Sequence, residues 1–300
     1  MENKMNAPLP DMETRRRQLG RLCSRYRFVS RPPVGCSVLG REICAVRIGE
    51  PEEAVLYAGG FHAQEWLTSA LLIRFAERLC EALENGGRIA EIDCRRAMLG
   101  RGVVIVPCVN PDGVEIALHG AESAGDLRAE VERISGGDAS HWNANARGVD
   151  INHNFNAGWH IARQLERAQG IDSPAPRRYG GSSPESEPET QALTALCEKF
   201  GFRAVYAFHS QGEEIYWRYG DGTPPASALM ARVLSASSGY AAASPEAIAS
   251  HGGFKDWFIE KYRRPGFTIE MGKGENPLPI SELDGIYEQL EELLMLGMVM

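Results

Sequence analysis

The chain has 300 residues, 43% of them hydrophobic, and a formal net charge of −8 at pH 7. That length suits one large α/β domain with a substantial core, and the acidic balance argues against nucleic acid or an anionic membrane as partner. There is no apolar run long enough to span a bilayer, and Met1 to Gln18 is polar, without a signal-peptide core, so a cytoplasmic location is expected.

In chain order, the apolar patterns predict a helix from Met12 to Tyr26, a strand from Ile43 to Ile48, and a second strand from Ala54 to Ala58 that ends in Gly59-Gly60. A helical period (Leu67, Ala70, Leu71, Phe75, Leu79) then runs from Trp66 to Leu83. His62 and Glu65 lie between the glycines and that helix. Residues three apart at a helix start share one face, so an imidazole and a carboxylate can converge there, two thirds of a catalytic zinc site. The same spacing recurs in His119-Gly120-Ala121-Glu122, but Leu118 to Asp126 is polar, holds two glycines and has no apolar period. That copy reads as surface loop.

Further along, a strand from Val103 to Val109 runs into Asn110-Pro111-Asp112-Gly113, a turn by composition. A helix from Glu187 to Phe200 opens with Pro188 and acids in its first turn. The buried-strand run Ala204 to Phe208 is followed at once by His209-Ser210-Gln211-Gly212, and Phe267 to Ile269 by Glu270. Helices from Ala226 to Ser237, Gly253 to Tyr262 and Leu283 to Leu296 complete the set. Strands alternating with helices predict a mostly parallel sheet covered on both faces. With no linker and no internal repeat, residues 1–300 form a single domain. Seven scattered cysteines, an odd number without CxxC spacing, suit a reduced cytosolic protein.

Sites on such sheets collect beyond the carboxyl ends of the strands, which places His62, Glu65, His209 and Glu270 on one edge. Blander roles exist for each. His209 could be a hydrogen-bonded structural histidine, and Glu270 could pair with Arg263 or Arg264 at the surface. His153, in Asn152-His153-Asn154, competes with His209 as third ligand. His141, His160 and His251 stand in polar contexts and read as solvated surface. Four ionisable groups on one edge are hard to explain as packing, and a metal site is the better reading.

The chain resembles the zinc carboxypeptidase (M14) family over nearly the whole catalytic domain, from about Val38 onward. The resemblance is carried by His62-Ala63-Gln64-Glu65, Asn110-Pro111-Asp112-Gly113, Gly148-Val149-Asp150-Ile151-Asn152, Phe208-His209-Ser210, Gly252-Gly253 with Asp256-Trp257, and Thr268-Ile269-Glu270. Within the family, Phe208 to Trp217 and Gly253 through Pro277 are similar to bacterial γ-D-glutamyl-diamino acid peptidases. These cut between γ-D-glutamate and meso-diaminopimelate in cell-wall peptides.

The resemblance implies a three-layer α/β/α domain with a mixed, mostly parallel central sheet. It implies one Zn²⁺ per chain held by His62, Glu65 and His209, with Glu270 as general base and Asp150 bonded to the far nitrogen of His62. It also implies a murein-derived peptide as substrate. The substrate-binding positions depart from the digestive members of the family. Their Asn-Arg carboxylate clamp is Asn152-His153 here, and a histidine cannot make the bidentate fork of an arginine. Their transition-state arginine is Asn143 here, leaving Arg147 as the nearest positive charge for the oxyanion. Their mobile tyrosine maps near Ile248, so its hydroxyl is absent there, though Tyr240 could approach from elsewhere on the loop. Gln211 comes two residues after the third ligand in the substrate groove, and Lys255 stands in the leaving-residue pocket, where it suits a carboxylate-bearing side chain. Alternatives are a general metallocarboxypeptidase releasing C-terminal residues, a non-catalytic peptide-binding module on the same fold, and a relative that deacylates small amino acids.

Overall fold

The computed structural model describes residues 8–244 and 250–300. Its centre is an eight-stranded sheet whose strands lie side by side in the order Val29–Ser30, Val46–Gly49, Gly102–Val106, Ala54–Ala58, Val205–His209, Gly266–Glu270, Glu214–Tyr216 and Ala241–Ala243. Four of the pairings are parallel and three antiparallel, so the sheet is mixed and mostly parallel.

The apolar runs of the central strands are explained by helices on both faces. Side chains alternate across a strand. Accordingly Val55, Tyr57, Val103, Ile105, Tyr206 and Phe208 join one core cluster, with Leu71, Leu72 and Phe75 of the helix Leu67–Asn85 and Leu290, Leu293 and Leu294 of the helix Leu283–Val299. Leu56, Ala58, Val104, Val106, Val205 and Ala207 join the other, with Leu193 and Leu196 of Pro188–Phe200 and Phe254, Trp257 and Phe258 of Phe254–Tyr262. This is a single three-layer α/β/α domain. On the first face the hydroxyls of Tyr57 and Tyr206 donate to the carbonyls of Leu294 and Gly297. Gly297 is needed there because a Cβ on it would lie 2.5 Å from the Tyr57 hydroxyl.

Several elements differ from the sequence expectation. The strand expected over Ile43 to Ile48 is two pieces: Glu42–Ile43 pairs with Gly35–Cys36 in a separate ribbon, and Val46–Gly49 joins the main sheet. The strand Gly102–Val106 stops before Pro107, which has no N–H for the ladder. Asn110-Pro111-Asp112-Gly113 is the start of a helix, Pro111–His119, rather than a turn. Asn110 caps it by accepting from Gly113 N at 2.9 Å, and Pro111 takes the first position. The supposed surface loop around His119 and Glu122 is likewise helical: His119 closes that helix and Glu122 lies in the 3₁₀ segment Ala121–Leu127. His209 and Glu270 are the last residues of their strands instead of lying just past them.

The strands Ala54–Ala58, Val205–His209 and Gly266–Glu270 run parallel with their carboxyl ends at one edge. Strand order reverses about Ala54–Ala58, whose neighbours are Gly102–Val106 on one side and Val205–His209 on the other. In an open sheet such a switch point leaves a crevice beyond the strand ends.

Candidate metal centre and active site

Gly60 turns the chain out of Ala54–Ala58 with φ +59, and a Cβ there would meet Cys108 Cα, Cys108 Sγ and Ser69 Oγ, each at 3.0 Å. The turn is pinned from both sides. Gly60 N donates to Thr68 Oγ1 at 2.8 Å, whose hydroxyl donates to Glu65 O at 2.7 Å, and Asn110 Nδ2 donates to Phe61 O at 3.1 Å. His62 then precedes the 3₁₀ turn Ala63–Glu65.

Three side chains converge at this point. His62 Nδ1 lies 2.7 Å from Glu65 Oε1, His209 Nδ1 2.9 Å from Glu65 Oε2, and the two Nδ1 atoms 3.3 Å apart. Among the described residues this is the one group of three or more such side chains able to hold a metal ion. Both histidines present Nδ1. His62 Nε2 faces Asp150 Oδ1 at 3.2 Å, whereas His209 Nε2 is buried without a hydrogen-bond partner among the described residues, and Phe61 stacks on the His209 ring at a centroid distance of 5.0 Å. Asp150 is itself buried and held by the N–H groups of Asn152 at 3.1 Å and Arg178 at 2.8 Å.

The electrostatics agree with a cation site. Burial alone would raise Glu65, but His62 and His209 outweigh it and bring its carboxyl down to about 2. Burial works against a charged His62, yet Glu65 and Asp150 lift it well above its ordinary value. His209 is lowered by burial. Two imidazoles and a carboxylate focused on one point form the donor set of a divalent transition metal with room for further ligands.

Glu270 stands in register with His209 on the adjoining strand. Burial raises its carboxyl well above the usual range, and the charges of Glu65 and Glu214 add to this. The surface pairing with Arg263 or Arg264 is not formed: those guanidiniums donate to the carbonyls of Asp221 and of Gly201 and Phe202.

The other residues singled out from sequence fall in several places. Asn143 braces the ligand turn, its carbonyl accepting from Ala63 N at 3.1 Å and its Oδ1 from Gln64 N at 3.3 Å. Asn152 Oδ1 accepts from Phe254 N at 3.0 Å, tying it to the Gly252-Gly253 segment. His153 is buried with Nδ1 2.9 Å from Glu166 Oε1, where Arg163 also pairs, so it is not part of the metal cluster. Lys255 is buried rather than solvated; its ammonium donates to Asp256 and, at 3.0 Å, to the Arg218 carbonyl. Arg147 is 52% exposed with its guanidinium 3.5 Å from Glu187. Gln211 is exposed beside Ser210, which donates to Asn276 Oδ1 at 2.7 Å. Ile248 lies outside the described residues. His141 and His160 are exposed as expected, whereas His251 is half-buried with Nδ1 3.2 Å from the Tyr219 hydroxyl.

Sequence reasoning missed Glu214, which faces Glu270 across the antiparallel pair. Glu213-Glu214 after a glycine looks like solvated loop, and the three-residue strand carries too short a pattern to expose it.

A family model described as zinc carboxypeptidase matches residues 22–292. The γ-D-glutamyl-L-diamino acid endopeptidase 1 of Lysinibacillus sphaericus is 37% identical over 280 residues, spanning 93% of this chain and 69% of that protein. Two solved structures share the fold. Thrombin-activatable fibrinolysis inhibitor superposes with a TM-score of 0.77 at 18% identity over 98% of this chain and 77% of its own. Murein-tripeptide amidase MpaA from Escherichia coli O157 gives 0.53 at 23% identity over 89% and 91%.

Proposed function

The chain belongs to the zinc carboxypeptidase family and is a metallopeptidase, and from that premise we propose that it hydrolyses the γ-D-glutamyl-meso-diaminopimelate bond of murein peptides. The observation that carries the reading is the convergence of His62 Nδ1, Glu65 and His209 Nδ1 beside Glu270. Substrate class is supported by the relative whose name specifies γ-D-glutamyl-L-diamino acids and whose match runs through the whole site.

In this proposal His62, Glu65 and His209 hold one Zn²⁺, and Asp150 fixes the tautomer of His62 so that Nδ1 carries the free lone pair. The bound ion supplies Lewis acidity to the scissile carbonyl and lowers the pKa of water. Glu270 takes a proton from the attacking water and returns it to the leaving amine nitrogen as the C–N bond breaks. Asn143, Asn152, His153, Gln211, Ile248 and Lys255 are the proposed substrate-binding residues, and Arg147 the oxyanion donor, a role in which it exchanges Glu187 for substrate.

Against a general carboxypeptidase reading stands His153 in the clamp position, whose imidazole cannot make the bidentate fork of an arginine. A non-catalytic binding module has no use for Glu270 beside the ligands. No helix among the described residues is long and apolar enough to cross a membrane. Seven free cysteines support a reducing, cytoplasmic compartment and a place in cell-wall recycling. The deciding assay incubates zinc-loaded protein with L-Ala-γ-D-Glu-meso-diaminopimelate and with ordinary α-peptides. Release of free diaminopimelate is expected; trimming of α-peptides alone would overturn the proposal.

A further inference from the structure

We propose that Glu214 reads the second amino group of the leaving residue, making it a specificity residue for diamino-acid substrates. The inference rests on the proposed function and adds the side chain that recognises this feature of the substrate.

Glu214 opens the strand Glu214–Tyr216, in antiparallel register with Gly266–Glu270: Glu214 opposes Glu270, Ile215 opposes Ile269 and Tyr216 opposes Thr268. Ile215 and Ile269 are fully buried in the core. Side chains alternate along a strand and directly opposed residues share a face, so Glu214 and Tyr216 stand on the opposite face, with Glu270. A Cβ on Gly212 would lie 3.7 Å from Glu214 Cγ and 3.8 Å from Glu270 Cβ, which puts the two carboxyl-bearing side chains around one point.

Glu214 faces Glu270 directly across the pair, and among the described residues no side-chain cation of the protein pairs with it. Its neighbour Glu213 is paired with Lys273 at 2.5 Å. Glu214 accepts a hydrogen bond from the Tyr216 hydroxyl and, among the described residues, has no ion pair. Lys255 is balanced by Asp256. The wall beside the proposed base therefore carries a half-buried carboxylate with one neutral donor, oriented by that donor and open to a cation. A γ-D-glutamyl-diamino acid brings one: its α-amine is the leaving nitrogen, and the second amine remains a free ammonium on the same residue. A charge-assisted hydrogen bond from it to Glu214 supplies the missing counter-charge.

The test compares γ-D-Glu-L-Lys with γ-D-Glu-Nε-acetyl-L-Lys as paired substrates of the zinc-loaded protein. Wild type is expected to favour the free amine in kcat/KM by roughly 10- to 100-fold. Glu214→Gln, which keeps a partner for Tyr216, removes most of that preference through KM while sparing the acetylated substrate. Glu214→Asp, a shorter carboxylate, falls between, and Glu213→Gln behaves as wild type. An equal fall on both substrates would assign Glu214 to the electrostatics of Glu270 and overturn the inference, as would a wild type indifferent to acetylation. If wild type cleaves neither γ-D-glutamyl peptide, the substrate proposal fails. The same acetylation contrast on α-peptides ending in lysine then decides the role of Glu214 separately, an unchanged preference in Glu214→Gln overturning it.

Discussion

Glu270 and His209 occupy one register position on adjacent parallel strands, and just beyond them Met271 N donates to the His209 carbonyl at 2.9 Å. The proposed base is thus held next to a proposed metal ligand by sheet hydrogen bonds between segments 61 positions apart. Replacing Glu270 by Gln preserves shape and removes the basic site. Zinc content measured by elemental analysis should stay at one per chain, while kcat falls by roughly 10²–10⁴-fold. A variant that remained active would remove Glu270 from the mechanism.

Asp150 orients His62 through the 3.2 Å contact to Nε2 and is anchored by the Asn152 and Arg178 amides. Asp150→Asn keeps the size but weakens its hold on the Nε2–H tautomer. Zinc affinity, read by competition with a chromogenic chelator, should drop roughly 10- to 100-fold. Unchanged affinity would make Asp150 a simple cap for the segment Ile151–His153.

Away from the centre, Glu189 is fully buried, accepting from Val38 N at 3.0 Å and Asn145 Nδ2 at 3.3 Å, and burial raises its carboxyl to about 7. Because the folded value lies above the ordinary 4.5, the native state binds this proton more tightly. Its stabilisation is therefore complete below pH 4.5 and is lost as pH rises through 7. Glu189→Gln, neutral throughout, should flatten that limb of the stability curve and gain on the order of 1–3 kcal/mol over wild type at pH 8. Urea midpoints at pH 5 and pH 8 measure the difference, and parallel curves for the two proteins would refute it.

Gly60→Ala probes the turn that delivers His62. The left-handed φ and three contacts at 3.0 Å, one of them to backbone, leave no room for a methyl. A loss of about 2 kcal/mol in unfolding free energy is expected, together with weaker zinc binding, because the turn and the ligand share one short segment. Thermal melts with and without zinc separate the two effects.

Much of the site was legible from sequence because its chemistry sits where strands end. Apolar runs locate Ala54–Ala58, Val205–His209 and Gly266–Glu270, and the polar residues at their carboxyl ends stand out against them. Only the resemblance suggested the contact between His62 and Asp150, 88 positions apart, since no local pattern encodes it. The pairing of His153 with Glu166 and of Lys255 with Asp256 was likewise not legible. A buried ion pair has no periodicity, so its members look like any other charged residues until the chain is packed. Asn110-Pro111-Asp112-Gly113 misled for a related reason: turn formers and helix caps are the same residues, and the packing around them decides between the two.

Sequence alone pointed to a mostly parallel sheet covered on both faces and to four ionisable groups at one strand edge, because hydrophobic alternation and strand-end position are local properties that survive without coordinates; the resemblance supplied the choice of His62, Glu65 and His209 as candidate ligands. Tertiary structure alone decided which nitrogen each histidine turns inward, which charges are spent on one another, and that Glu214 faces Glu270. Those outcomes depend on register between strands and on distances across the sheet, and register is set by packing of the whole core rather than by any one segment.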